Sequence, residues 1–408
     1  MTDTHLNADI TILGAGMAGA SMVHLLEPAR QAGLTVALID RQPLVWNDAT
    51  DRPPSFDGRA TALSWGTRQI LEALDLWQHI SPWACAIDHI QVSDEGRFGQ
   101  TQLHASEQGT DALGYIIENH RLGHGLLNGL DEARGLLSLA PAEVTQVTMN
   151  ADGAGLQLSD GRTLQTGLLV MADGGRSPLM PQLGIVQQRR PYGTQALVTQ
   201  VRCDQPHEHW AFERFSEDGP IAFLPLHSHD YAVVWTLSDD EMADALAQDD
   251  ATLIARLQER IGYRVGRITD IGERLTYPLA LVKANEQVRR SLVLLGNAAH
   301  SLHPVAGQGF NLTLRDAAVL SEHLNRAVRE GRQVGDLRVL MGYLEQQKTD
   351  QRNTILASDL LPRLFGSRAP GVAILRDAGL LGMSAAPVAR RLFARHAMGL
   401  GHTAAKLG

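Results

Sequence analysis

Ile10-Thr11-Ile12-Leu13-Gly14-Ala15-Gly16-Met17-Ala18-Gly19 is the stretch whose reading decides the fold. Four β-prone residues run into three glycines spaced G-x-G-x-x-G, and a run that is helix-compatible apart from Pro28 near its end, Ala20 to Gln31, follows. Gly33 punctuates its end, and Thr35-Val36-Ala37-Leu38-Ile39-Asp40 forms a second apolar strand that stops on an acid. So compact a strand–helix–strand unit requires parallel strands, and therefore an α/β fold. The glycine pattern alone is weak, because it arises by chance roughly 0.4 times in a chain of this glycine content. Its context is what gives it weight. Gly14 permits the tight turn, Gly16 lets a diphosphate reach the backbone, and Gly19 lets the helix pack on the strand. Free N–H groups at the helix start favour an anion, and Asp40 is placed to accept hydrogen bonds from an adenosine ribose. The alternative is a structural turn with an incidental aspartate. The dinucleotide-binding set expected here is Gly14, Ala15, Gly16, Met17, Ala18 and Gly19 with Asp40 and Arg41.

Outward from this unit, a helical pattern covers Thr61 to Trp77, with Leu63, Ile70, Leu71 and Leu74 on one face. A hairpin is expected around Asp94-Glu95-Gly96, a helix over His120 to Ala133, and strands between Val144 and Val170. From Gly184 to Tyr277 the texture becomes β-like, in Ala196 to Val201, Ile221 to Leu226 and Tyr231 to Thr236, which reads as an inserted antiparallel sheet. The α/β texture then returns with Leu292-Val293-Leu294-Leu295, a glycine loop and a helix over Leu312 to Arg329. The expected architecture is an α/β, Rossmann-like domain (1–75, 104–183 and 275–365). A mainly antiparallel substrate sheet (76–103 and 184–274) and a helical C-terminal segment (366–408) complete it.

The second glycine loop names the dinucleotide. Gly296 to Leu312 is a strand that breaks into a loop and restarts as a helix, and Gly307-Gln308-Gly309-Phe310-Asn311 offers several backbone N–H groups at that start. Such donors suit the electron-rich pyrimidine edge of an isoalloxazine ring, which gains negative charge on reduction. Two such loops point to FAD rather than to a nicotinamide cofactor alone. Pro304 to Gly307 should border the reactive face of the flavin, and Phe223-Leu224-Pro225 should roof the opposite side. Phe223 and Pro225 are thus expected substrate-pocket residues; His303, beside His300 in the same loop, is a third, with a structural, loop-packing role as its alternative.

Composition excludes other classes. The 408 residues hold 2 Cys, which rules out a disulfide scaffold or a thiolate-rich metal site. With 36 Lys+Arg against 45 Asp+Glu, net charge -9, a nucleic-acid partner is not expected. His207-Glu208-His209 and His227/His229 have no third ligand at a recognisable spacing, so no metal is expected. There is no 18-residue apolar run and no secretory signal at the N-terminus, so the expected location is cytoplasmic, with peripheral attachment at the inner face of the membrane as an option. For that attachment the relevant segment is Val388 to Met398, where Arg390, Arg391 and Arg395 interleave with Leu392, Phe393 and Met398 as a basic amphipathic helix; the alternative is a surface helix packed on the domain.

Three fingerprints resemble the class A flavoprotein aromatic hydroxylases: Gly14-x-Gly16-x-x-Gly19 with Asp40, the segment Leu168 to Ser177 carrying Asp173-Gly174, and Gly296 to Asp316. Within that class the chain resembles the ubiquinone-biosynthesis hydroxylases, in particular their 2-octaprenyl-6-methoxyphenol hydroxylase subgroup. That finer likeness rests on Phe56 to Ser64, Val92-Ser93-Asp94, Phe212-Glu213-Arg214-Phe215, Gly219-Pro220, Leu224-Pro225-Leu226 and Tyr277 to Leu281. The resemblance implies hydroxylation of a polyprenylated phenol with O2 and NAD(P)H, by way of a flavin C4a-hydroperoxide and with the flavin carrying the difficult chemistry. It also implies contact with other ubiquinone-biosynthesis proteins. Asp173 is placed by it in a segment serving FAD and NAD(P)H, and Arg59 and Arg121 where flavin-contacting arginines stand. Asn297 stands where the family normally carries Asp against the ribityl chain; its neutral amide still donates and accepts. No catalytic base is assigned. The competing readings are another ring position, a small aromatic acid anchored by Arg202 or Arg214, and a non-enzymatic prenyl-binding escort.

Overall fold

The computed structural model describes residues 4–45, 57–96, 100–130, 133–216, 219–303, 307–365 and 386–400. The opening unit forms as the sequence requires. Strand His5–Leu13 is followed by helix Met17–Leu25 and strand Val36–Ile39, and the two strands pair in parallel, Ile10 opposite Val36 through Leu13 opposite Ile39. Strand Thr163–Met171 lies parallel on the other side, then Leu292–Leu294, while Leu136–Leu139 pairs outside Val36–Ile39. The strands alternate between two apolar layers. Val36, Leu38, Leu168, Val170 and Val293 face one core, and Ala37, Ile39, Leu169, Met171, Leu292 and Leu294 face the other. Burial on both faces is what makes these strands continuous apolar runs.

The second sheet is the inserted one, mainly antiparallel. Strand Gln187–Cys203 is its spine, pairing with Leu275–Ala284 on one side and Asp230–Ser238 on the other; Ile221–Pro225 and Trp210–Phe215 continue outward. The expected hairpin, His89–Asp94 with Gln100–His104, joins at the edge, where His89–Asp94 runs parallel to Trp210–Phe215. Helices Asp239–Ala247 and Asp250–Ile261 cover one face, burying Leu253, Leu257, Phe223 and Trp235. A small third sheet, Ala60–Ser64 with Gly114–Glu118 and Cys85–Ile87, lies between.

Three local expectations change. The helix expected from Thr61 begins only at Trp65, because Ala60–Ser64 pairs with Gly114–Glu118 as a strand and Ser64 then caps the helix by accepting the Thr67 N–H. The run Ala20 to Gln31 breaks at Leu26. Pro28 has no N–H for a helix interior, and it is accommodated in the first turn of a new helix, Glu27–Gln31. The late helix starts earlier than expected, as Gln308–Arg329, with Gly307 as N-cap at φ +58.

Candidate functional site

The two glycine loops meet. Gly14, Ala15, Gly16, Met17 and Ala18 line the same cavity of about 990 Å³ as Gly296, Asn297, Gly307, Gln308, Gly309, Phe310 and Asn311. Their approach is close, since a Cβ on Gly296 would lie 3.2 Å from the Ala18 Cβ. Gly14 has φ +101, and a Cβ there would sit 2.8 Å from the Ala172 carbonyl oxygen, so the turn and the neighbouring backbone both demand glycine. A Cβ on Gly19 would lie 1.8 Å from the Gly14 oxygen; its part is helix-to-strand packing rather than the cavity wall.

Each loop ends in a helix N-terminus without a side-chain cap or an acidic residue in the first turn, so the first N–H groups remain for a ligand. Gly309 lines the cavity, and a Cβ on it would meet no protein atom within 4 Å, an open cradle against the second helix start. Asp40 accepts the Ala15 N–H at 2.6 Å with one oxygen and the Gln42 N–H at 2.8 Å with the other, which fixes its carboxylate while lone pairs remain for ribose hydroxyls. Arg41 lines the same end, 3.8 Å from Glu143. Asp173 folds its own loop, accepting the Gly175 N–H at 3.0 Å and the Ser177 N–H at 3.3 Å. Asn297 is exposed on the cavity wall. These donors and this glycine cradle fit a flavin dinucleotide stretched between the two helix starts.

Asn311 is held more tightly than a simple cofactor contact needs. Its Oδ1 accepts the Ser64 N–H at 2.8 Å and the Thr67 hydroxyl at 2.7 Å; its Nδ2 donates to the carbonyls of Ala62 at 2.9 Å and Gly307 at 2.8 Å. All four hydrogen-bonding capacities are spent on pinning the loop and helix start to strand Ala60–Ser64. Arg59 also lines the cavity. Asp57, which the sequence reading did not single out, accepts from its Nε at 2.7 Å, and the guanidinium stacks 4.4 Å over the Tyr277 ring. Tyr277 in turn donates to Asp57 at 3.2 Å, as does Asn119. One carboxylate thus positions an arginine, a phenol and an amide on one wall.

Several expected contacts lie elsewhere. The Arg121 guanidinium stacks over Trp83 at 3.9 Å and is not on the cavity wall. Phe223 faces the helix-covered side of its strand, fully buried against Tyr231, and Pro225 shares that parity. Ala222 and Leu224, the alternate residues, face the cavity instead. Adjacent strand residues point to opposite faces, so the expected segment roofs the site through the other set of side chains. Pro304, and Phe56 of the motif, lie outside the described residues. His303 lines the cavity. It is 2 % exposed, meets the edge of Tyr192 at 5.1 Å between centroids, and burial pushes its imidazole down to about 4. At neutral pH it is uncharged.

The sheet's wall is apolar: Ala196, Val198, Ala211, Ala222, Leu224 and Val234 line it, and its one charged contribution among the described residues is Glu213. Arg202 pairs with Asp230 at the exposed edge, and neither it nor Arg214 reaches the cavity. Among the described residues no group of three metal-ligating side chains occurs, and no helix is long and apolar enough to cross a membrane.

Comparison with known proteins agrees with this geometry. Residues 7–338 match the family described as FAD binding domain. The ubiquinone hydroxylase UbiL of Rhodospirillum rubrum is 34% identical over 393 residues, covering 96% of this chain and 90% of that protein. The 3-demethoxyubiquinol 3-hydroxylase of Escherichia coli is 28% identical, covering 97% of this chain and 100% of its own. The crystal structure of PqsL, a probable FAD-dependent monooxygenase from Pseudomonas aeruginosa, shares the fold at TM-score 0.75 and 22% identity over 92% of this chain and 100% of that one. With its two glycine loops closing on one cavity, this chain belongs to the FAD binding domain family and is an FAD-dependent aromatic monooxygenase.

Proposed function

We propose that the substrate is a polyprenylated phenol of ubiquinone biosynthesis, of the 2-octaprenyl-6-methoxyphenol type, and that NAD(P)H is the reductant. The observation that carries the reading is the apolar sheet wall opposite the second glycine loop, which bears no cation among the described residues. A small aromatic acid needs a cationic anchor there, and Arg202 and Arg214 do not supply one. The relatives named as ubiquinone hydroxylases support the pathway, and the Escherichia coli relative carries the name of a different ring position.

In this reading the first helix start would hold the diphosphate, Asp40 the ribose, and the N–H groups at the second helix start, from Gly307, the flavin pyrimidine edge. Bound FAD supplies oxygen activation: O2 and NAD(P)H with a proton convert an aromatic C–H to C–OH, releasing water and NAD(P)+. The protein's part is to hold the ring against the cofactor and keep water out. Ala196, Val198, Ala222, Leu224 and Val234 exclude water from the ring. Neutral His303 adds no charge to the cavity wall. Arg59, fixed by Asp57 and Tyr277, would present its guanidinium to the bound cofactor from the cavity wall.

Deleting the gene and identifying the accumulating prenylated intermediate tests the proposal. A prenylated phenol lacking one ring oxygen is expected; accumulation of a fully hydroxylated ring refutes it. Purified protein is expected to be yellow and to oxidise NAD(P)H faster when that intermediate is added.

A further inference from the structure

The C-terminal helix Pro387–Ala397 has two working faces. Ala394 and Met398, immediately after the helix, are 1 % and 2 % exposed and pack with Trp65, Leu103 and Leu113. Phe393, Ala394, Ala397 and Met398 also form part of the cavity wall. The helix is held in place by the Arg390–Glu107 ion pair at 2.9 Å and by the Gly66 N–H donating to the Met398 carbonyl. Gln308, in the second glycine loop, donates to the Ala397 carbonyl at 3.3 Å.

The opposite face carries Val388, Arg391, Leu392 and Arg395, all exposed, at i, i+3, i+4 and i+7, which is a single stripe along a helix. Val388 is 68% and Leu392 64% exposed, and Phe393, at the rim between the two faces, is 38% exposed. Neither Arg391 nor Arg395 has a carboxylate partner among the described residues. Solvated aliphatic side chains interleaved with two guanidiniums are the composition of a helix lying in a headgroup layer. Long arginine side chains reach outward to phosphate while the aliphatic groups enter the acyl boundary.

We propose that this stripe docks the protein on an anionic phospholipid bilayer, with the cavity wall formed by Phe393 and Ala397 directly behind the docked face. Charge complementarity selects the occupant: on a chain of net charge -9 this stripe is locally positive. Its size agrees, because a helix of about 16 Å offers far less than the roughly 800 Å² per partner of a stable protein interface. Bilayer binding has no such threshold and is assembled from individual side chains. Docking of the resting protein does not depend on which phenol is hydroxylated.

The test is flotation of the FAD-saturated protein with vesicles of phosphatidylcholine alone and of phosphatidylcholine mixed with phosphatidylglycerol. Binding to the mixed vesicles is expected, weakening as salt is raised and nearly absent on phosphatidylcholine. Arg391→Glu with Arg395→Glu should lower partitioning by at least about 25-fold, about 5-fold for each basic residue lost near an anionic surface. Leu392→Ser should lower it by about 10-fold, while Lys348→Glu, an exposed charge change on helix Leu337–Phe365, should leave it unchanged. Flavin absorbance checks that each variant remains folded, and the salt and lipid dependence of the unaltered protein stands as a test without any variant. Absence of binding to phosphatidylglycerol vesicles overturns the proposal. So does equal binding to both vesicle types, a loss shared by Lys348→Glu, or membrane recruitment that needs an added protein.

Discussion

Replacing Asn311 by aspartate exchanges one amide NH2 for an oxygen and leaves shape unchanged, yet the surroundings make it a severe substitution. Oδ1 keeps the Ser64 N–H and the Thr67 hydroxyl. The other oxygen then faces the carbonyls of Ala62 and Gly307, to which the amide donated at 2.9 and 2.8 Å. Two donated hydrogen bonds become two contacts between acceptors, at a residue only 1% exposed. Both carbonyls are half-buried, so each lost donor costs near the lower end of about 1–3 kcal/mol, and Asn311→Asp should lose roughly 2–3 kcal/mol at neutral pH against a typical total of about 5–15 kcal/mol.

The pH dependence gives the loss its signature. In the folded variant the carboxyl is held protonated more readily than in the unfolded chain, because only the acid form donates to a carbonyl. A raised folded-state pKa contributes stability that is present below the unfolded value near about 3.9 and lost as pH rises through the folded one. The deficit relative to the unaltered protein should therefore shrink as pH falls. Urea unfolding of both proteins, followed by far-ultraviolet circular dichroism at several pH values, reads this directly. FAD titration should show weakened binding, since the loop from Gly307 is no longer pinned. A variant within about 0.5 kcal/mol of the original at neutral pH, or a deficit that grows on acidification, refutes the assignment of Asn311 as the pin.

Gly14→Val should abolish FAD binding, because φ +101 and the 2.8 Å approach of Ala172 and Asp173 leave no room for a branched side chain; stoichiometric flavin in the purified variant would contradict the role of that loop. Phe223→Ala should cost about 3–5 kcal/mol of stability by opening a void against Tyr231, with the KM for a prenylated phenol little changed. Leu224→Gln should do the reverse, and equal effects on KM would refute the assigned parity. With His303 held at about 4 in the folded protein and near 6.5 when unfolded, the unfolded chain binds the extra proton, so stability falls as pH drops from about 6.5 toward 4, by about 3 kcal/mol. His303→Gln should flatten that window in urea denaturation, and an unchanged profile would remove the residue from the account.

The first glycine loop was legible because its requirements are local. A positive φ at Gly14 and the close approach of Gly19 to the Gly14 carbonyl are properties of the turn itself, so the residue types announce them. The parity of Ile221–Pro225 was not legible. Both faces of that strand are apolar, one toward helices and one toward the cavity, and alternation carries no signal when neither side meets water. Thr61 to Ser64 reads locally as helix because Leu63 continues the spacing of Ile70, Leu71 and Leu74; its strand pairing comes from residues 114–118, which no local window contains. Arg121 was placed by resemblance, and its stacking on Trp83 depends on tertiary geometry. The paired role of Asp57 with Tyr277 likewise joins residues remote in sequence.

Strand Gln187–Cys203 touches both halves of the site. At one end the Gln187 amide donates to the Ala298 carbonyl beside the second glycine loop; further along, Ala196 and Val198 form part of the cavity wall. It is therefore a ruler whose graduations are peptide units of about 3.3 Å. Exchanging side chains at 196 and 198 reshapes the space for a new ring without moving the cofactor's seat. Removing one residue between 187 and 196 would instead turn Leu197 toward the cavity and shift the wall by a full graduation. Natural diversification of substrate along this scaffold should then proceed by substitution on the inward positions and spare the strand's length. The register with Leu275–Ala284 slips between Pro191 and Gln195, and a second slip, against Ile268–Ile271, falls between Arg202 and Cys203, so the graduations that carry the inward positions 196 and 198 run unbroken along Asp230–Ser238.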